Sequence, residues 1–171
     1  MVEQDLKSLS RRLKARVDYD SFEDIHRRRT DGEALNIAKA LEANFYPPGS
    51  DVEARIKSHI DRHNERVVTQ LQTALFAQKK RLADAERSLA TKATKKALED
   101  KRIACNKIDW HLKKLAALKR TELQPADSRI FPFWYAPLIV MENGERVIRP
   151  MRYHCRPHAK PASYRKRFDG L

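Results

Sequence analysis

Trp134, Tyr135 and Tyr153 are interleaved with Arg149, Arg152 and Arg156 near the C-terminal end of the chain. Aromatic faces stack on unpaired bases while guanidinium groups hold the neighbouring phosphates, which is the pattern of a surface for single-stranded or damaged DNA. The competing reading is that these aromatics fill a small barrel core. Both can hold together, because successive residues of a strand face opposite ways. From Arg149 to Arg167 the bases are Arg149, Arg152, Arg156, Lys160, Arg165, Lys166 and Arg167, with no acid among them. Phosphate suits such a run, since each neutralised phosphate releases condensed counterions. A solvated basic face with no specific partner is the plainer alternative.

Other chemistry is weaker. His59 and His63 are four residues apart on a helix-like stretch, the spacing of metal-binding histidines. The zinc-protease pattern needs a glutamate directly after the first histidine as general base, and Ile60 stands there. A polar helix pair is the preferred reading, and no metal or other cofactor is predicted. Cys155 has His154 beside it and His158 three residues on, but adjacent strand residues point to opposite faces, so a packing cysteine is favoured over a nucleophile. Four glycines scattered over the chain cannot form a phosphate-binding loop.

The elements that must position these residues fall into three parts. Residues 1–49 read as short helices. Leu6, Leu9 and Leu13 mark an amphipathic helix from Val2 to Arg16, Asp20-Ser21 offers caps for a second, and a third runs from Glu33 to Phe45 before Pro47-Pro48-Gly49 stops it. Residues 50–124 open on a capping box, Ser50 with Glu53 three residues later. Asp51 to Gln124 holds neither Gly nor Pro, and as one helix it would reach about 110 Å. Large apolar residues recur at Ile56, Ile60, Val67, Leu71, Leu75, Leu82 and Leu89, and again from Ile103 to Leu118. Between Ala90 and Ala97 they thin out. The spacing predicts two long helices in an antiparallel hairpin bending near residues 88–96, with a straight coiled-coil helix that pairs in a dimer as the alternative. In residues 125–171, Phe131 to Met141 and Glu145 to Met151 read as strands about Asn143-Gly144, a strong hairpin signal because both positions tolerate positive φ. One hairpin is marginal alone, so it must find further strands or pack on helices. The expected class is mainly α with a small β-element, an α+β fold.

The 171 residues suit one small domain plus an extended helical element. Charged residues make up 35% of the chain and mean hydropathy is -0.74, which favours a long helical projection. Net charge is +13: residues 1–50 sum to zero, 51–123 to +8 and 124–171 to +5. Two cysteines in unlike contexts make no disulfide framework, and no apolar run approaches the roughly 20 residues that cross a bilayer. A cytoplasmic protein, with nucleoid association possible in a bacterium, is the expectation.

Phe131-Pro132, Tyr135-Ala136-Pro137, the turn Glu142-Asn143-Gly144 and Arg149-Pro150-Met151-Arg152-Tyr153 together resemble the SOS-response-associated peptidase family, whose members shield abasic sites in single-stranded DNA. Gln78 to Arg87, Thr91 to Lys96 and Arg129 to Pro132 resemble the longer bacterial members with a helical insertion. The resemblance covers most of the chain from about residue 50 and the N-terminal helices more loosely. It implies a partial barrel. In the family, an N-terminal cysteine exposed by removal of the initiator methionine traps the ring-opened sugar aldehyde as a thiazolidine through its amine and thiol. An Asn-Ala-Arg segment, a glutamate and a histidine complete that site.

This chain departs from the pattern: Val2 stands at position 2, and the chain stops about where the Asn-Ala-Arg segment would follow. The expectation is a relative shortened at both ends, with no catalytic residues. It would bind single-stranded or abasic-site DNA without catalysis, through Pro132, Trp134, Arg149, Arg152, Tyr153, Arg156, Lys160, Arg165 and Lys166. The alternatives are a protein-interaction or homodimerisation module in helices 50–124 that acts on a nucleoprotein complex, of the kind a mobile element could encode, and an abasic-site cross-linking enzyme if the mature chain starts with cysteine.

Overall fold

The computed structural model describes residues 4–153. It is mainly helical with one small three-stranded sheet, an α+β fold that carries a long antiparallel helical hairpin. Two compact units make up the chain: residues 1–59 with 124–171, and residues 60–123. The first turns of the long hairpin helix therefore belong to the unit that carries the sheet.

In the first unit, α1 (Leu6–Leu13) is capped by Asp5, whose carboxylate accepts from the Lys7 and Ser8 amides. It ends at Lys14 in the left-handed region, short of Arg16. Arg16, expected as the last residue of that helix, instead opens a two-residue strand with Val17, β1 (Arg16–Val17). α2 (Tyr19–Thr30) is capped by Asp18 and not by Asp20-Ser21: the Asp18 carboxylate accepts from the Ser21 amide and hydroxyl. The helix expected from residue 33 shrinks to α3 (Lys39–Glu42) and one 3-10 turn. Its expected first turns are drawn out because Ile37 bridges in parallel to Tyr135 and the Asn36 carbonyl accepts from the Tyr135 amide.

The core of this unit is Leu6, Phe22, Ile25, Leu41, Phe45, Ile56, Val147 and Ile148, all buried. Phe45 is its centre, with Phe22 at 6.1 Å and the His26 ring edge-on at 5.7 Å. Beside it Arg29 and Glu42 form a buried ion pair. Desolvation pushes the Glu42 carboxyl up even against the Arg29 charge. Burial, then the Glu53 carboxylate, pushes the Tyr19 hydroxyl up to about 12.

The sheet has the order β1-β3-β2. β2 (Tyr135–Glu142) and β3 (Glu145–Arg152) are antiparallel, with Tyr135 opposite Arg152 and Glu142 opposite Glu145. Asn143 and Gly144 both have positive φ, 49° and 82°, as a two-residue hairpin turn requires. β1 adds in parallel to β3, Arg16 opposite Val147. The hairpin thus gains both supports that its marginal stability demands: a third strand, and α2 packed on β3. β2 is an edge strand among the described residues, and Leu138, Ile139 and Met141 on it are exposed.

α4 (Asp51–Thr91) starts where the capping box was expected, and half of that box forms, with the Ser50 hydroxyl accepting from the Glu53 amide. The Glu53 carboxylate reaches the Gly49 amide. In the second unit the chain turns at residues 92–94, inside the expected 88–96 window, and Thr94 caps α5 (Lys95–Lys119). The hairpin closes on small side chains, with Ala85 on α4 and Ala97 and Ala104 on α5 buried, and His111 on α5 is buried as well. Arg81 pairs with Asp100 at 2.5 Å and Lys101 with Glu86 at 3.1 Å across the two helices. A straight dimerising helix is therefore excluded as the fold of residues 51–119. No helix among the described residues is long and apolar enough to cross a membrane.

Candidate nucleic-acid interface

The aromatic residues gather where β2 begins and β3 ends. The two strands stay joined past their last paired residues, because the Tyr153 amide donates to the Trp134 carbonyl at 2.8 Å and the Phe133 amide to the Tyr153 carbonyl at 2.7 Å. Between these bonds Phe133 sits at φ 71°. A bulky residue in the left-handed region is costly, on the order of 1–3 kcal/mol, and persists only where the surroundings impose it. The Trp134 amide closes the turn on the Phe131 carbonyl at 3.0 Å. Phe131 and Trp134 are thereby brought together with ring centroids 5.2 Å apart and planes at 60°.

Arg152 belongs to this turn. Its Nε donates to the Phe133 carbonyl at 3.3 Å and its guanidinium lies 5.2 Å from the centre of the Phe133 ring. It makes no ion pair with a carboxylate among the described residues, and neither does the exposed Arg129 just before the turn. Phe131 is 49% exposed and Tyr153 43%. Pro132 is exposed at the tip and Trp134 is half-buried.

The residues expected to bind DNA therefore separate. Pro132, Trp134, Arg152 and Tyr153 are brought to one end of the sheet. Arg149 is not available in the way its charge suggested. Its Nε donates to the Asp18 carboxylate at 2.6 Å and its Nη1 to Glu142, so two acids already hold it. The carboxyl of Asp18 is lowered overall: burial raises it, and the hydrogen bonds from Ser21 and Arg149 outweigh that. Since Asp18 also caps α2 and its amide donates to the Ile148 carbonyl at 3.0 Å, Arg149 fastens α2 to β3. Arg156, Lys160, Arg165 and Lys166 lie outside the described residues, as do His154, Cys155 and His158.

Sequence reasoning passed over Arg129, Phe131 and Phe133 as site residues. Phe131 was visible as a neighbour of Trp134, but nothing in the sequence marks the turn that sets their rings edge to face. Glu33 is held low chiefly by its bidentate pairing with Arg28, and the Arg152 charge adds to that in a smaller way. Among the described residues, no three of His, Cys, Asp and Glu converge in a way that could hold a metal ion. Cys105 is a free thiol within α5, far in sequence from any α-amine. Comparison with protein-family models, with curated proteins and with solved structures finds no match.

Proposed function

We propose that the chain binds single-stranded DNA, abasic sites included, as a non-catalytic relative of the SOS-response-associated peptidases. Charge and ring stacking hold the strand without a covalent bond. The observation that carries this reading is the end of the sheet: exposed Phe131 and Tyr153 and half-buried Trp134, with Arg152 and Arg129 making no ion pair with a carboxylate among the described residues. Unpaired bases offer ring faces that duplex DNA keeps stacked, which is why the aromatic set favours a single strand. The net charge of +13 supplies the field that draws the strand in.

In this reading Tyr153 and Phe131 receive bases, Trp134 backs Phe131, and Arg152 and Arg129 meet phosphates. The bases Arg156, Lys160, Arg165 and Lys166 extend the phosphate track, and Arg149 serves the fold. Cys105 takes no part, since the amine and thiol of a thiazolidine must come from one residue.

Fluorescence anisotropy of a labelled oligothymidylate, repeated over a salt series, tests the reading. Six phosphate contacts give a slope of about -4 in log affinity against log salt. A duplex of equal length should compete poorly. Affinity indifferent to salt, or a duplex that competes as well as the single strand, would overturn the reading. A denaturing gel after incubation with abasic oligonucleotide should show no covalent band.

A further inference from the structure

We propose that α5 pairs antiparallel with α5 of a second copy of this chain, about a two-fold axis through Cys105. Leu98, Cys105 and Leu112 recur every seven residues on α5. At about 100° per residue they fall within roughly 20° of one line, about a quarter turn round from the Ala97, Ala104 and His111 row that α5 buries. Leu98 is 56% exposed and Leu112 47%, and the Cys105 thiol is free and half-buried. The described hairpin thus covers one stripe of α5 and leaves a second one open, a spacing that a partner helix matches.

The occupant follows from the symmetry of the stripe. Leu98 and Leu112 stand at equal distances on either side of Cys105, so antiparallel self-pairing sets each leucine against the other copy's opposite leucine and the two thiols against each other. The same operation brings Arg102, three residues before the centre, level with Asp109 of the other copy, four residues after it and on the same side. The two-fold repeats that opposite-charge pair. Parallel pairing also aligns Cys105 with its copy, but it sets Ala97 against Arg102 and Ala104 against Asp109 and makes no such pair. Arg102 is held within its own helix by a bidentate bond to the exposed Glu99, at 2.6 and 3.0 Å, so the pair with Asp109 forms by exchange of that partner. Three apolar layers on a helix about 37 Å long bury less than the about 1,200 Å² of a standard interface, so the dimer is of the small, transient kind.

Disulfide trapping tests this with the full chain. In Cys155→Ser protein, diamide accepts two electrons and two protons from two thiols, and a covalent dimer through Cys105 is expected. With both native cysteines replaced by serine, a mixture of Leu98→Cys and Leu112→Cys chains should cross-link at least tenfold more than either chain alone. Leu112→Glu, at an exposed position, should keep the helical circular dichroism and lower Cys105 cross-linking at least tenfold. Arg102→Asp should weaken trapping, and adding Asp109→Arg should restore it. Trapping of Leu98→Cys chains with themselves, absence of any cross-link, or cross-linking unchanged by Leu112→Glu would each overturn the proposal.

Discussion

Replacing Arg149 by alanine separates a residue that holds the fold from one that holds DNA. Its bond to Asp18 is charge-assisted and the Asp18 carboxylate is only 10% exposed, whereas the Glu142 partner is 36% exposed. A hydrogen bond to a charged group contributes about 1.5–3 kcal/mol, and a solvent-exposed pair roughly 0–1 kcal/mol. Arg149→Ala should therefore cost about 2–3 kcal/mol, most of it from the Asp18 carboxylate left beside the α2 N-terminus without its cation. For a unit of this size that is a fall in Tm of about 10 °C or somewhat more. Thermal melts followed by near-ultraviolet circular dichroism report the sheet unit. Anisotropy measured well below the melt, in parallel, reports oligothymidylate affinity, which should change less than about threefold, within the effect of one distant charge. A Tm unchanged within about 2 °C, or affinity lost tenfold with Tm intact, would refute the assignment of Arg149 to the fold.

Acid tests the same contact. The carboxyl of Asp18 lies below its unfolded value, so its stabilisation is complete above about pH 4 and is lost as pH falls through the lower folded value. The Asp18→Asn variant should lose that part of the acid slope in denaturant titrations. At the alkaline end, Tyr19 titrates near 12 when folded, so its contribution is intact below about pH 10 and fades as pH rises toward 12. Ultraviolet titration of wild type against Tyr19→Phe should show one fewer late-ionising tyrosine. Arg29→Ala strands Glu42 in the core and should destabilise by about 3–5 kcal/mol, read as a lower urea midpoint, whereas replacing both by apolar residues should restore most of it. Tyr153→Ala should weaken single-strand binding by about 1–3 kcal/mol, roughly five- to 150-fold, with Tm nearly unchanged because the ring is exposed.

The long hairpin was legible because residues 51–124 contain no helix breaker and their large apolar side chains thin out where the chain turns, so a local pattern carried the information. Asn143-Gly144 marked the β-turn for the same local reason. What escaped was long-range. β1 is two residues long and pairs with a strand some 130 residues later, and periodicity cannot register so short a piece. The helix expected from Glu33 lost its first turns to a bridge between Ile37 and Tyr135, a contact across the fold that outweighs local propensity. Arg149 shows the limit most clearly. Its charge was visible, but the acid that claims it is Asp18, and only the parallel addition of β1 to β3 brings the two together. The aromatic cluster was half legible: the residue types stood out, while the left-handed Phe133 in the turn that brings Phe131 edge-on to Trp134 has no signature in the sequence.

The central claim, that bases stack at the open end of the sheet, is tested most directly by the emission of Trp134. The chain has two tryptophans, Trp110 and Trp134, so Trp110→Phe leaves Trp134 as the sole reporter. Titration with oligothymidylate should quench its fluorescence to saturation, with the midpoint given by anisotropy and with a salt dependence that follows it. Binding that saturates by anisotropy while Trp134 emission stays unchanged in intensity and wavelength would contradict the account.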